Sequence, residues 1–169
     1  MLLAALLTVV VIWLAGVAGV AAGGGSSTRH PTEPAVDRAL TPAGSALVLL
    51  RAWDRRRAAA WASGDPVALA RLYVPGSRTG VRDRLDLRRW VDRGLRVTGL
   101  RQQIRSVRVI ARNRERLVVV VTDRTVGGVA VAATGRAALP ASGWESHRIT
   151  LRRSGPGWRV VEVRGQPAR

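Results

Sequence analysis

The stretch Ala43–Tyr73, AGSALVLLRAWDRRRAAAWASGDPVALARLY, holds two helices broken by Gly64-Asp65-Pro66, and the rest of the chain is arranged around them. Thr41 can cap the first helix and Pro42 suits its first turn, where a missing N–H costs nothing. Leu47, Leu50, Trp53 or Asp54, Arg57, and Ala60 or Trp61 recur at helical spacing. Gly64 reads as a left-handed stop, Asp65 as the cap of a second helix and Pro66 as its first residue. The result is a long amphipathic helix followed by a short one ending in Leu72-Tyr73. Such a pair needs an apolar surface to lie on, and the second half of the chain supplies it.

Toward the C-terminus, VPGSRTG is a turn, and a third helix runs from about Asp83 to Arg93. Leu85, Leu87, Trp90 and Val91 face its core side, and Gly94 stops it. From Leu95 the period changes. Val107, Val109 and Ala111 share one strand face and Ser106, Arg108 and Ile110 the other, while Leu100 and Ile104 fit the opposite phase. A bulge near Ile104 would reconcile the two phases. Arg112-Asn113-Arg114-Glu115 turns into Leu117–Thr125, whose four consecutive valines suit a central strand. Val126 to Gly143 reads as an irregular strand or long connection, and Trp144–Arg153 and Trp158–Arg164 as a closing hairpin. Three helices and then a meander of about four antiparallel strands predict an α+β domain spanning 43–165, not an alternating α/β one.

Toward the N-terminus, Leu2–Ala22 is 21 residues without a charge. As a helix it would be about 31 Å long, the thickness of a bilayer core. We read residues 1–22 as an uncleaved membrane anchor. A signal peptide is the rival, because Gly19 and Ala21, or Val20 and Ala22, fit the small-residue pattern before a cut. Residues 23–42, rich in Gly, Ser, Thr and Pro, form a flexible tether. Arg29 and Arg38 follow the apolar run and none precedes it, which by the positive-inside rule would hold the domain in the cytoplasm. Glu33 and Asp37 dilute that bias, and the expectation is a domain outside the cytoplasm, anchored or secreted.

Composition narrows the chemistry further. The 169 residues carry a net charge of +17 from 28 arginines and no lysine. Two of the arginines and two of the eleven acidic residues precede Thr41, so the domain itself holds the +17. Arginine in place of lysine, the lack of phenylalanine and the abundance of Ala, Val and Gly point to a GC-rich bacterial genome. Without cysteine there is no thiol nucleophile, iron–sulfur cluster or thiolate zinc site, and without lysine no Walker A or Schiff-base chemistry. Two histidines, His30 and His147, cannot form a histidine-rich metal site. No metal or cofactor is expected.

From Ser45 to Val163 this order resembles the nuclear transport factor 2-like, or SnoaL-like, superfamily, the cystatin-like α+β cone that includes ketosteroid isomerases. The resemblance rests on the helix running into Gly64-Asp65-Pro66 and Leu69–Tyr73, on the strand meander, and on the closing GWRVVEV at Gly157–Val163. It implies a curved sheet wrapping the long helix around a pocket, here with Trp53, Tyr73 and Trp90 as its lining. Enzymes of that superfamily place carboxylates and a tyrosine inside for proton transfer. Asp54, Tyr73, Asp123, Glu145 and His147 are the counterparts this chain offers.

Each has a plainer reading. Asp54 lies among Arg51, Arg55, Arg56 and Arg57, where a helical ion pair is the default. Asp123 adjoins Arg124. Glu145 and His147 share a strand face with Ile149 and Leu151 and can simply hydrogen-bond at the sheet edge, although histidine titrates in a useful range. The domain tryptophans are core anchors before they are a stacking platform.

Three functions fit. The first is a noncatalytic envelope module that binds a protein partner, a lipid or a small apolar ligand and is held near an anionic membrane or cell-wall surface by its charge. The second is a pocket enzyme of isomerase or dehydratase type. The third, nonspecific nucleic-acid binding, is set aside because no recognition motif accompanies the arginines. A homodimer is what the resemblance, not the residues, implies.

Overall fold

The computed structural model describes residues 41–167; the expected anchor and nearly all of the tether lie outside the described residues. Among the described residues no helix is long and apolar enough to cross a membrane.

Helix α1 spans Pro42–Ser63, with Thr41 accepting the Gly44 N–H (3.0 Å) and Pro42 in the first turn. It ends where Gly64 takes φ 65°, a conformation that costs a side-chain-bearing residue its Cβ clearance. Asp65 then accepts the N–H groups of Val67 and Ala68 and starts α2, Pro66–Ala70. Helix α3 spans Arg78–Asp92, beginning earlier than the expected Asp83 because Ser77 is its cap. The Ser77 hydroxyl accepts the Gly80 N–H (3.1 Å) and donates to the Val161 carbonyl (2.8 Å), which pins the start of α3 to the last strand.

That earlier start changes the helix phase. Asp83, Leu87 and Trp90 form the buried stripe, and Leu85, expected in the core, is 43% exposed. Spacing of four and three residues joins the first set, and Leu85 lies two residues off it.

The strands are β1 Arg96–Thr98, β2 Arg101–Arg112, β3 Arg116–Val126, β4 Val129–Ala132, β5 Gly135–Ala138, β6 Glu145–Ser154 and β7 Gly157–Gln166. They form two antiparallel sheets, one four-stranded in the order β2-β3-β6-β7 and one three-stranded in the order β1-β4-β5. The count of about four strands holds for the main sheet only. The glycine-rich segment expected as an irregular connection contributes the β4–β5 hairpin instead, and the short β1 pairs with it.

Two glycines make that corner. Gly99, between β1 and β2, has φ 69°, and Gly127, between β3 and β4, has φ 74°. A Cβ on either would lie within 2.9 Å of the other's carbonyl oxygen. Only glycine lets the paired strands leave one sheet together and enter the next. A register shift between Ile104 and Ser106 lies where the two sequence phases of β2 had to be reconciled.

The three helices pack on these sheets. Trp90, Leu69 and Leu87 from the helices meet Leu117, Val119 and Leu151 from the main sheet, all almost wholly buried. Between α2 and α3, Leu72 and Val74 exchange backbone hydrogen bonds with Val160 of β7 (both 3.0 Å), which ties the helical layer to the sheet's outer strand.

Candidate functional site

A cavity of about 310 Å³ lies where α1 and α3 face the main sheet. Its walls are largely apolar and aromatic, with Trp53, Trp61, Tyr73 and Trp90 from the helical layer opposite Ile149 and Val163 from the sheet. The rings hold one another: Trp53 meets Tyr73 edge to face (5.8 Å, 89°) and Trp61 meets Trp90 (6.3 Å, 74°). Two polar clusters also reach it.

The first is centred on Asp83, 2% exposed on the buried stripe of α3. Its carboxylate accepts both arms of the Arg57 guanidinium (2.6 and 2.8 Å), the Tyr73 hydroxyl (2.7 Å) and the Trp61 indole N–H (3.2 Å). The pair is bidentate, so geometry as well as charge fixes α1 to α3. Burial, and then the Asp83 charge, push the Tyr73 hydroxyl well above its ordinary pKa. Burial opposes the charge on Arg57, but Asp83 and Tyr73 outweigh it, and its pKa is raised. Tyr73 therefore donates and does not ionise.

Gly80 makes room for that tyrosine. A Cβ at position 80 would lie 2.5 Å from Tyr73 Cγ and 2.6 Å from its Cβ, atoms close to the backbone that cannot swing aside. Alanine should gain up to about 1 kcal/mol in helix propensity. Overpacking costs about 1–3 kcal/mol, so Gly80→Ala is expected to lower the urea midpoint despite its better propensity. A midpoint that rises would show that the ring has slack.

The second cluster lies on the sheet. Asp123 of β3 and Glu145 of β6 are directly opposed in the register, and His147 follows two residues along on the same face. His147 Nε2 is 3.3 Å from Asp123 Oδ1 and 3.7 Å from Glu145 Oε2. Burial, reinforced by the nearby charges of Asp54 and Glu145, raises the Asp123 carboxyl to a pKa of about 7. Burial also raises Glu145 and lowers His147. Near neutral pH this corner can therefore hold a proton on a carboxyl group beside a neutral imidazole, the arrangement that acid–base exchange requires.

Asp54 stands apart. It is not among the lining residues; its carboxylate accepts the backbone N–H of Gln102 at the start of β2 (3.1 Å), and burial raises its pKa against the opposing effect of that bond and of Arg57 and Arg55. The arginine beside Asp123 is engaged elsewhere. Arg124 donates to the Gln103 side chain (2.7 Å) and lies over the Trp144 ring (4.7 Å). The remaining wall is Leu139–Gly143, fastened where Ser142 accepts the Thr125 N–H (2.8 Å) and returns its own N–H to the Thr125 carbonyl (2.9 Å). Gln102 donates to the Thr125 hydroxyl (2.9 Å) behind it.

Trp53, Tyr73, Trp90, Asp123, Glu145 and His147 thus all line one cavity. Sequence reasoning missed Asp83 and the Thr125–Ser142 wall. The signal for Asp83 was available: it lies four and seven residues before Leu87 and Trp90, so a helix extended backwards turns it inward, where a buried carboxylate demands a partner. Nothing comparable marks Ser142, whose partner is on another strand.

No family model matches the sequence, and no curated protein is significantly similar to it. Solved structures are similar in fold. The intermembrane-space region of the chloroplast protein ARC6 aligns at 15% identity and a TM-score of 0.56 over 76% of this chain and 98% of that one. Aln2 from a Streptomyces species aligns at 16% identity and 0.51 over 75% and 93%. A protein of the nuclear transport factor 2-like family from Streptomyces avermitilis aligns at 13% identity and 0.46, over 73% and 97%. Helices α1 to α3 laid on an antiparallel meander, with the cavity between the two layers, complete the comparison. The fold is shared with the first two of these structures. At 15 and 16% identity the likeness is one of architecture, and what the cavity does follows from its own residues.

Proposed function

We propose that this is a ligand-binding module of the cell envelope, a cone-shaped domain that takes a small, largely apolar molecule carrying one polar group into the cavity between helices and sheet. The observation that carries this reading is the cavity itself: about 310 Å³, aromatic on one wall, with the Asp123–Glu145–His147 corner as its polar end. Small-molecule sites combine a mostly apolar wall with a few placed polar groups, and this cavity is at the lower end of their usual volume range. The envelope placement rests on the uncharged Leu2–Ala22 run and on the likeness in fold to a domain of an intermembrane space.

The test uses the tryptophans already in the walls. Titration with a neutral bicyclic fragment such as 2-naphthol should quench their emission saturably. Val163→Trp, which fills part of the cavity from β7, should weaken that binding at least about tenfold while leaving the melting temperature within a few degrees. Unsaturable quenching that ignores the substitution would refute a binding cavity.

A second reading, turnover of isomerase or dehydratase type, is favoured by one specific observation, the contact of the Asp123 carboxyl with the His147 imidazole. The double substitution Glu145→Ala with His147→Ala separates the two. Under the binding reading, fragment affinity changes less than about tenfold and no reaction is lost. Under the catalytic one, turnover of an enolisable or hydroxylated substrate falls by about 10²–10⁴-fold in a folded protein.

A further inference from the structure

We propose that the outer face of the β2-β3-β6-β7 sheet, turned away from the cavity, is a docking surface for an anionic phospholipid bilayer. The register decides it. Arg116, Arg152 and Arg159 are directly opposed across β3, β6 and β7; with one row between, Arg108, Val120, Arg148 and Arg164 are opposed across all four strands. The row between holds Val118, Thr150 and Glu162. The 3.0 Å contact of the Thr122 and Ser146 hydroxyls shows that this face carries its own side chains; Leu117, Val119, Ile149 and Leu151, all buried, occupy the other, and Val118 in the row between the arginines is buried too, so the face is presented by its arginine rows. Arg108, Arg116, Arg148, Arg152 and Arg164 are exposed and Arg159 half-buried.

Like charges directly opposed across strands destabilise a sheet. Here the one acid in these rows, Glu162, is engaged by Arg164 (2.8 Å), and Arg108, Arg116, Arg148, Arg152 and Arg159 form no ion pair among the described residues. The arrangement fits an external polyanion. A second copy does not serve, because a two-fold contact through this face would set arginine against arginine. Nucleic-acid readers reach into a groove with a helix or a narrow ribbon, whereas four strands about 4.8 Å apart with rows about 13 Å apart offer charge in two dimensions, as a headgroup surface does. Were Leu2–Ala22 to lie in the bilayer, a flexible chain as long as residues 23–40 would span about 23 Å, which would keep the face within reach of the lipid.

The absence of cysteine makes the test direct. The full chain carrying Thr150→Cys is labelled with a fluorophore and reconstituted into bilayer discs containing a headgroup quencher. The discs are either pure phosphatidylcholine or about 30% phosphatidylglycerol, so the anchor contributes equally to both. Quenching at about 0.15 M salt is expected to be at least about fivefold greater in the anionic discs and to vanish at about 1 M salt. It should fall to the neutral level in Arg108→Gln, Arg116→Gln, Arg148→Gln, Arg152→Gln protein, whose folding is checked by its melting curve. The salt and lipid series needs no variant. Equal quenching in the two lipids, or stronger quenching of a probe at Val81→Cys on α3, overturns the proposal. Displacement of the disc from the Thr150 probe by a DNA duplex at the lower salt also overturns it and gives the face to nucleic acid. Fragment binding in the cavity is expected to be unchanged throughout, so either reading can fail alone.

Discussion

Asp83→Ala is expected to cost about 3–5 kcal/mol of unfolding free energy, the range for removing one partner of a buried ion pair. With a total stability of about 5–15 kcal/mol for a domain of this kind, the variant would sit near its unfolding midpoint in mild denaturant. The loss arises less from the missing attraction than from what remains. Arg57, largely buried beside Trp61, would keep its charge with no counter-ion, and the Tyr73 hydroxyl and Trp61 indole would each lose an acceptor. Urea unfolding at constant slope measures the difference. A paired substitution, Arg57→Met with Asp83→Leu, removes both charges and should recover most of the loss, because well-packed apolar residues commonly replace a buried pair without penalty. If Asp83→Ala shifts stability by less than about 1 kcal/mol, the carboxylate is not the tie between α1 and α3 that its four hydrogen bonds describe.

How much of this was legible beforehand follows from the range of the forces involved. The ends of α1 and the start of α2 are set by Thr41, Gly64, Asp65 and Pro66, each acting within three or four residues, and the sequence reading of them agrees with the structure. The hairpins β2–β3 and β6–β7 are equally local. The cap of α3, Ser77 to Gly80, is as local as the others and was readable; only the bond that pins it to the Val161 carbonyl of β7 spans 84 residues. The β1-β4-β5 sheet was missed because it depends on Gly99 and Gly127 approaching within van der Waals contact, which no periodicity reveals. Within the cavity, the alternation of Glu145, His147, Ile149 and Leu151 was readable from a single strand. The pairing of Arg57 with Asp83 joins two helices, and Asp123 meets Glu145 and His147 only through the register of β3 with β6. Asp54, still under the charges of Arg57 and Arg55, also accepts the Gln102 N–H, and Asp123 meets His147, partners that only the three-dimensional fold supplies.

That corner of the cavity makes the pH dependence of stability run opposite to the usual acid denaturation. The folded Asp123 carboxyl keeps its proton up to about pH 7, whereas an unfolded aspartate loses it near pH 3.9. Between those values the folded state binds more protons, and stability falls as pH rises. About three units at 1.36 kcal/mol each set a ceiling of about 4 kcal/mol. Part of the shift comes from Asp54 and Glu145, which protonate over the acid end of the window, so about 2–3 kcal/mol is expected. Glu145 and Asp54, raised by burial, act in the same direction. His147 acts in the other. Its folded pKa is lowered by burial, so just below pH 6.5 the folded state binds fewer protons than the unfolded one, which flattens the profile near pH 6. Urea unfolding at about pH 5, 7 and 8 should show the protein least stable at the most alkaline of the three. Asp123→Asn, which cannot ionise, should be more stable than the parent at about pH 8 by about 2 kcal/mol and close to it at about pH 5. A parent protein that gains stability steadily across that range, or an asparagine variant that follows it in parallel, would mean that Asp123 is ionised in the folded state. The same proton bears on the cavity's chemistry. A neutral Asp123 can donate a hydrogen bond to a carbonyl-bearing ligand, and an ionised one can only accept. Affinity for such a ligand should therefore decline as pH rises through about 7, and the asparagine variant, which donates at every pH, should lose that decline.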